Sequence, residues 1–227
     1  LLFTMWLGKR MNIDRRLALL IGAGSYICGA SAIAAVAPVI NAEDRDITFS
    51  VATVTVFGTL AMFLYPFFYH FFHLPSLFYA VWAGSSIHEV AQVVAAGFAA
   101  GDQAGEYATL IKLTRVLLVI PTVLYLGIST RRNGHNKRFF TQGTFPWFVF
   151  GFCGVVIINS LSLLPREAVV SLITFDNFLL TIAMTALGLG SDFNKMKAAG
   201  LKPLYAGLCI SLFISVISFM VTGVLYG

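Results

Sequence analysis

The sequence predicts an all-α, polytopic transmembrane helical bundle, and three observations carry that prediction. Hydrophobic residues make up 58% of the 227-residue chain and charged residues only 11%, against about 25% charged in a soluble domain. Mean hydropathy is +0.85. The apolar residues also fall in long runs separated by short charged loops, which is the membrane pattern.

A bilayer core of about 30 Å needs about 20 apolar residues per helix. On that measure the chain is a single transmembrane domain over 1–227, with spans expected at 17–40, 48–70, 76–99, 108–128, 144–163, 169–190 and 204–226. Residues 1–8 read as the tail of an earlier helix. The chain opens inside the apolar run LLFTMWLG without an initiator Met, so it is expected to be the C-terminal part of a longer protein. No segment reads as a cleavable signal peptide.

The loops give the bundle a direction. Lys9, Arg10, Asp14, Arg15 and Arg16 sum to +3, while Glu43, Asp44, Arg45 and Asp46 sum to −2. The loop with His70 and His73 is neutral, and Asp102 with Glu106 gives −2. Arg131, Arg132, Lys137 and Arg138 give +4, and the loop from Asp192 to Lys202 gives +2. By the positive-inside rule, loops 9–16, 70–75, 129–143 and 191–203 are expected in the cytoplasm and the C-terminus outside. Topology thus accounts for the formal charge of +5. Nucleic acid is not called for as a partner; the lipid bilayer is. A homo-oligomer remains open.

Cys28, Cys153 and Cys209 are too few and too dispersed for a disulfide framework or a metal cluster, and read as small packing residues. No cofactor motif is present. His88-Glu89-Val90-Ala91-Gln92 lacks the second histidine of the zinc-protease pattern, and the glycines near Gly22 lack the Lys-Ser/Thr of a phosphate loop. No serine elbow appears. Nothing supports an enzyme.

Charge inside the expected spans is confined to Glu89, Lys112, Arg115 and Asp176. Such residues are costly in hydrocarbon and usually face a cavity or one another. Lys112 and Arg115 lie near a span end, where snorkelling competes with a functional role. Glu89 lies mid-span, where it cannot snorkel. Ser85, Glu89 and Gln92 share one face at helical spacing, with His88 at its edge. Glu89 and His88 are candidate proton carriers, and Ser85 and Gln92 candidate donors to an oxyanion. A structural network between helices is the bland alternative. Asn177, Thr181 and Thr185 form a second stripe, for which bonds to the helix's own carbonyls are favoured.

Two segments echo each other at an offset of 60: Ala23–Ala37 and Ala83–Gly97. Both place Gly-Ser inside an expected span. Close packing of small residues is one reading. A discontinuous helix, whose free N–H groups and half-dipole favour an anion, is the other.

The blocks LLIGAGSYICGASAIAAVAPVI, SIHEVAQVVAAG, IKLTRVLLVIP and LLTIAMTALGLGSDFNKMKAAGLKPL resemble the YeiH-like putative sulfate exporter family of bacterial inner-membrane proteins. The resemblance implies an inverted-repeat transporter with broken helices at Gly24–Gly29 and Gly84–Glu89. It implies export of a small inorganic anion, sulfate by the family's name, held by N–H groups around Gly24, Ser25 and Gly29. Ser85, His88 and Gln92 would complete the shell, Arg115 would add positive potential, and Glu89 would couple to protons. A cation/proton antiporter using Glu89 and Asp176 is the alternative. A non-transporting receptor or assembly subunit is the third.

Overall fold

The computed structural model describes residues 1–132, 151, 154–155, 157–158, 160–161, 164–190 and 201–226. Among these the regular structure is all helix, as expected for an all-α bundle. The helices are α1 (Leu2–Arg10), α2 (Arg15–Tyr26), α3 (Ala30–Val36), α4 (Asp44–Phe72), α5 (Ser76–Ser86), α6 (Val90–Phe98), α7 (Asp102–Val116), α8 (Val119–Arg132), α9 (Arg166–Gly190) and α10 (Leu201–Tyr226).

Local signals set the ends. The Asp14 carboxylate accepts the Arg16 N–H at 2.7 Å and starts α2. Asp44 and Asp46 occupy the first turn of α4, complementing its positive end. That helix stops at His73, which takes the left-handed conformation at φ 49°, and Pro75 then caps α5.

The expected spans 17–40 and 76–99 require correction, because neither is a continuous crossing. Each breaks in its middle, at Ile27–Gly29 and at Ile87–Glu89, so the two breaks stand 60 residues apart. Each then folds back on itself. The Tyr79 hydroxyl donates to the Ala96 carbonyl at 2.7 Å, whereas a straight helix would put those residues about 25 Å apart. A Cβ on Gly24 would stand 2.8 Å from Ile33 Cδ1, against about 13 Å along a straight helix. Thus α2–α3 and α5–α6 are re-entrant hairpins. The ends of the first meet at one face, where Arg16 and Glu43 pair at 3.9 Å.

Among the described residues, three helical stretches are long and apolar enough to cross a membrane by length and composition: Asp44–Phe72, Asp102–Ser129 and Lys202–Tyr226. The first of these, α4, leaves the base of hairpin α2–α3 and delivers the chain to the base of α5–α6. The second, α7 with α8, returns it. The hairpins therefore enter from opposite sides and their tips meet in the middle. Each hairpin plus its following span forms one unit, and the single crossing of α4 inverts the second relative to the first.

Packing follows the same division. Ala32, Ile33 and Val36 of the first hairpin form one core with Val119, Val123 and Leu126 of α8. Tyr79, Trp82, Val93 and Ala96 of the second form another with Tyr65 of α4 and Ala104 and Ala108 of α7. Small residues permit the close approach: a Cβ on Gly97 would meet Gly105 Cα at 2.9 Å, and one on Gly84 would meet the Ala108 carbonyl at 2.5 Å. The expected span 144–163 lies largely outside the described residues, as does Cys153.

The re-entrant geometry also revises the loop assignment. Loop 41–47 lies on the same side as loop 9–16, and loop 70–75 lies on the opposite one. The basic Arg131–Arg132 end of α8 joins the first side.

Candidate functional site

Irregular backbone at membrane depth is tolerated only where it is buried in protein or lines a cavity. Here two such segments meet, and α7 supplies the groups that satisfy them. Lys112 is fully buried. Its ammonium donates to the carbonyls of Ile27 at 2.9 Å, Ile87 at 2.8 Å and His88 at 2.5 Å. Three acceptors use all three donors of an ammonium; a neutral amine would leave one unmet. One turn on, Arg115 donates to Ser25 O at 2.9 Å, Tyr26 O at 3.3 Å, and both Gly84 O and Ile87 O at 3.2 Å. The two cations therefore cap the C-terminal, negative ends of α2 and α5.

The N-terminal ends of α3 and α6 are met by a carboxylate. Glu89 is the N-cap of α6 in a reciprocal capping box: its side chain accepts the Gln92 N–H, and Gln92 Oε1 accepts the Glu89 N–H at 3.2 Å. The same carboxylate accepts from Thr55 Oγ1 of α4 at 3.3 Å and from the Ala30 N–H of α3. Gly29, at φ 72°, lets the chain pass beside it; a Cβ there would collide with Glu89 Cγ. No ion pair joins Glu89 to either cation among the described residues. Anion and cations stand on opposite helix ends around the same tips.

This geometry redistributes the candidate residues. Gly24 and Ser25 lie inside α2 and present carbonyls rather than free amides, since Gly24 O accepts the Gly29 N–H at 2.8 Å. Of the three expected anion-holding positions, only Gly29 is at a tip. Arg115 is engaged by four carbonyls, which occupy its donors without cancelling its charge. Lys112 does not snorkel. The expected shared face of Ser85, Glu89 and Gln92 is dispersed, because helical periodicity does not carry across a chain reversal. Gln92 turns to α4, donating to Thr55 O and Thr59 Oγ1, both at 3.2 Å. Ser85 turns to α10 and bonds Ser218 Oγ. His88, 2% exposed, bonds Ser211 Oγ through Nε2 at 2.6 Å and lies against the Ser86 backbone, while its Nδ1 makes no well-formed hydrogen bond among the described residues. On α9, Thr185 bonds its own helix at Thr181 O; the side chains of Asp176 and Asn177 lie outside the described residues.

Sequence reasoning missed the α10 contribution. Ser211, Ser215, Ser218 and Thr222 recur at spacings of four, three and four, which places them on one helix face. It also passed over E-V-A-Q as a helix start, having read those residues as a failed zinc motif.

A protein family described as Conserved hypothetical protein 698 matches residues 1–207. Curated relatives include a UPF0324 membrane protein of Yersinia pestis, 43% identical over 95% of this chain and 62% of its own length. The UPF0324 inner membrane protein YeiH of Escherichia coli is 42% identical over 92% of this chain and 61% of its own length. A UPF0324 membrane protein of Bacteroides thetaiotaomicron is 41% identical over 91% and 63% respectively. The chain thus spans about three fifths of the length of these relatives. No solved structure matches. The hairpins, the buried charges and these likenesses fit one statement: the chain belongs to the UPF0324 (conserved hypothetical protein 698) family of membrane proteins.

Proposed function

We propose that the complete protein is a secondary transporter of the inner membrane that exports a small inorganic anion, with sulfate the leading candidate, and that Glu89 couples this export to protons. The observation that carries the reading is the meeting of two opposed re-entrant hairpins around Lys112, Arg115 and Glu89. Discontinuous helices of inverted repeats, meeting near the bilayer midplane, are the arrangement secondary transporters use to bind ions. The charge balance favours an anion. The site carries two cations and one carboxylate, so it is positive by one charge with Glu89 ionised and by two with Glu89 protonated. An anion at the tips would compete for the N–H groups of Gly29, Ala30 and Glu89, which are given to Gly24 O, the Glu89 carboxylate and Gln92 Oε1.

We further infer that the base of hairpin α2–α3 faces the cytoplasm, because the basic loops gather there. The end of α10 is then outside.

Efflux of radiolabelled sulfate from liposomes holding the complete protein tests the reading. Flux should rise with a proton gradient. Absence of flux in either direction, with and without that gradient, sinks it. Glu89→Gln separates the anion carrier from a cation/proton antiporter. The carrier keeps sulfate exchange and loses pH dependence, whereas the antiporter loses cation exchange outright.

A further inference from the structure

The centre described above leaves one buried group unused. His88 points away from the Glu89 carboxylate and into the interface of α5 with α10, where polar groups recur on every turn. From the tip outward, Ser211 bonds His88. Next, the Tyr65 hydroxyl lies in bonding reach of Ser86 and Ser215, and the Ser215 carbonyl accepts from Trp82 Nε1 at 3.1 Å. Ser218 then bonds Ser85, and buried Thr222 donates to Ser218 O at 2.7 Å. The Tyr65 and Trp82 rings stack at 3.9 Å beside this row.

Eleven residues of helix separate Ser211 from Thr222, about 16 Å, or roughly half the hydrocarbon thickness. Successive hydroxyls on α10 stand about 5–6 Å apart along the axis, the gap one water bridges. The groups facing one another across the seam touch directly, so it is too narrow for a tetrahedral oxyanion. It does suit a proton.

We propose that the α5–α10 seam is a proton path leading from the membrane face at the end of α10 to His88 at the hairpin tip. This deepens the transport reading and rests on it. An incoming proton passes along hydroxyls and intervening water to Ser211, which gives one to Nε2. The ring then releases a proton from Nδ1 to a water molecule between the tips, so the imidazole returns to neutrality and only its tautomer changes. Such two-nitrogen relay is ordinary histidine chemistry. The groups around His88 are Lys112 and Arg115 from α7, the Ser86 backbone at the end of α5, Ser211 from α10 and the adjoining Glu89.

The test uses the complete protein in liposomes, with lumenal pH dye and radiolabelled sulfate read together, for wild type, Ser211→Ala, Ser218→Ala and His88→Gln. Proton movement accompanying sulfate should fall at least about ten-fold in each variant, the rate equivalent of about 1.4 kcal/mol. Sulfate counterflow without a pH gradient should stay within about two-fold of wild type in the two serine variants, and Ser218→Thr should restore proton movement. Unchanged proton movement in Ser211→Ala and Ser218→Ala overturns the proposal. So does a loss that merely follows a fall in melting temperature, which marks the seam as interhelical glue. Wild-type sulfate flux with no proton movement also overturns the path and leaves transport standing. No wild-type sulfate flux at all instead removes the transport reading on which it rests.

Discussion

Replacing Lys112 by methionine tests the central geometry most directly. The side chain keeps its unbranched apolar stem, ends one atom sooner and loses its donors. Three carbonyls, two from one hairpin tip and one from the other, then lose the ammonium they share. On scales from soluble proteins, each stranded buried acceptor costs about 1–3 kcal/mol. Interhelical hydrogen bonds measured in membranes average about 0.6 kcal/mol. Removing a buried charge returns part of the loss, because its desolvation no longer opposes folding. The net expectation is destabilisation of about 2–4 kcal/mol. Cys28 offers the readout, being buried at the first tip. In a Cys153→Ser, Cys209→Ser background, thermal unfolding followed by thiol labelling reports global stability. Labelling well below the melting temperature reports opening of the tips. Lys112→Met should lower the melting temperature and expose Cys28 in the folded state. A variant within about 0.5 kcal/mol of wild type, with Cys28 still protected, would refute the view that this ammonium holds the hairpins together.

Three further outcomes follow from the same geometry. Single cysteines at Asn12 and Asp44 should react with a membrane-impermeant reagent from the same side, since both lie at the base of the first hairpin; reaction from opposite sides would restore a continuous crossing. Gly29→Ala should cost at least about 1–2 kcal/mol from its positive φ alone, with the collision against Glu89 added, and a melting temperature equal to wild type would contradict the assigned tip conformation. If the proposed function holds, Arg115→Lys in the complete protein should lose most sulfate flux while the protein still inserts. A single ammonium cannot reach four carbonyls on two hairpins, and full activity in the flux assay would show that the planar fork is dispensable.

Much of this fold was legible because hydrophobic runs, loop charges and mid-run glycines speak directly to helices in lipid. The offset-60 echo even carried the register of the two breaks. What composition concealed was the chain reversal. A run of 24 apolar residues satisfies the length of one crossing and equally that of two half-helices side by side, and hydropathy is blind to the difference. The reversal then misdirected the site. Ser85 and Gln92 were assigned one face by counting along a helix that ends at Ser86. Lys112 and Arg115 read as charges near a span end, free to snorkel, because their partners are backbone carbonyls, which leave no mark in a sequence. Glu89 was singled out for its depth, and it does hold the centre. Its task as N-cap was readable from Gln92 three residues later.

The distance along the chain between Lys112 and its acceptors bears on how this protein is made. The second tip receives its ammonium from 24 and 25 residues downstream, so those bonds can form almost as soon as it is synthesised. The first tip must wait for a residue 85 positions later. Throughout that interval its carbonyls have no permanent partner, and hydrocarbon would not tolerate them. Full closure of the first hairpin is therefore expected only after the helix that follows the second has arrived.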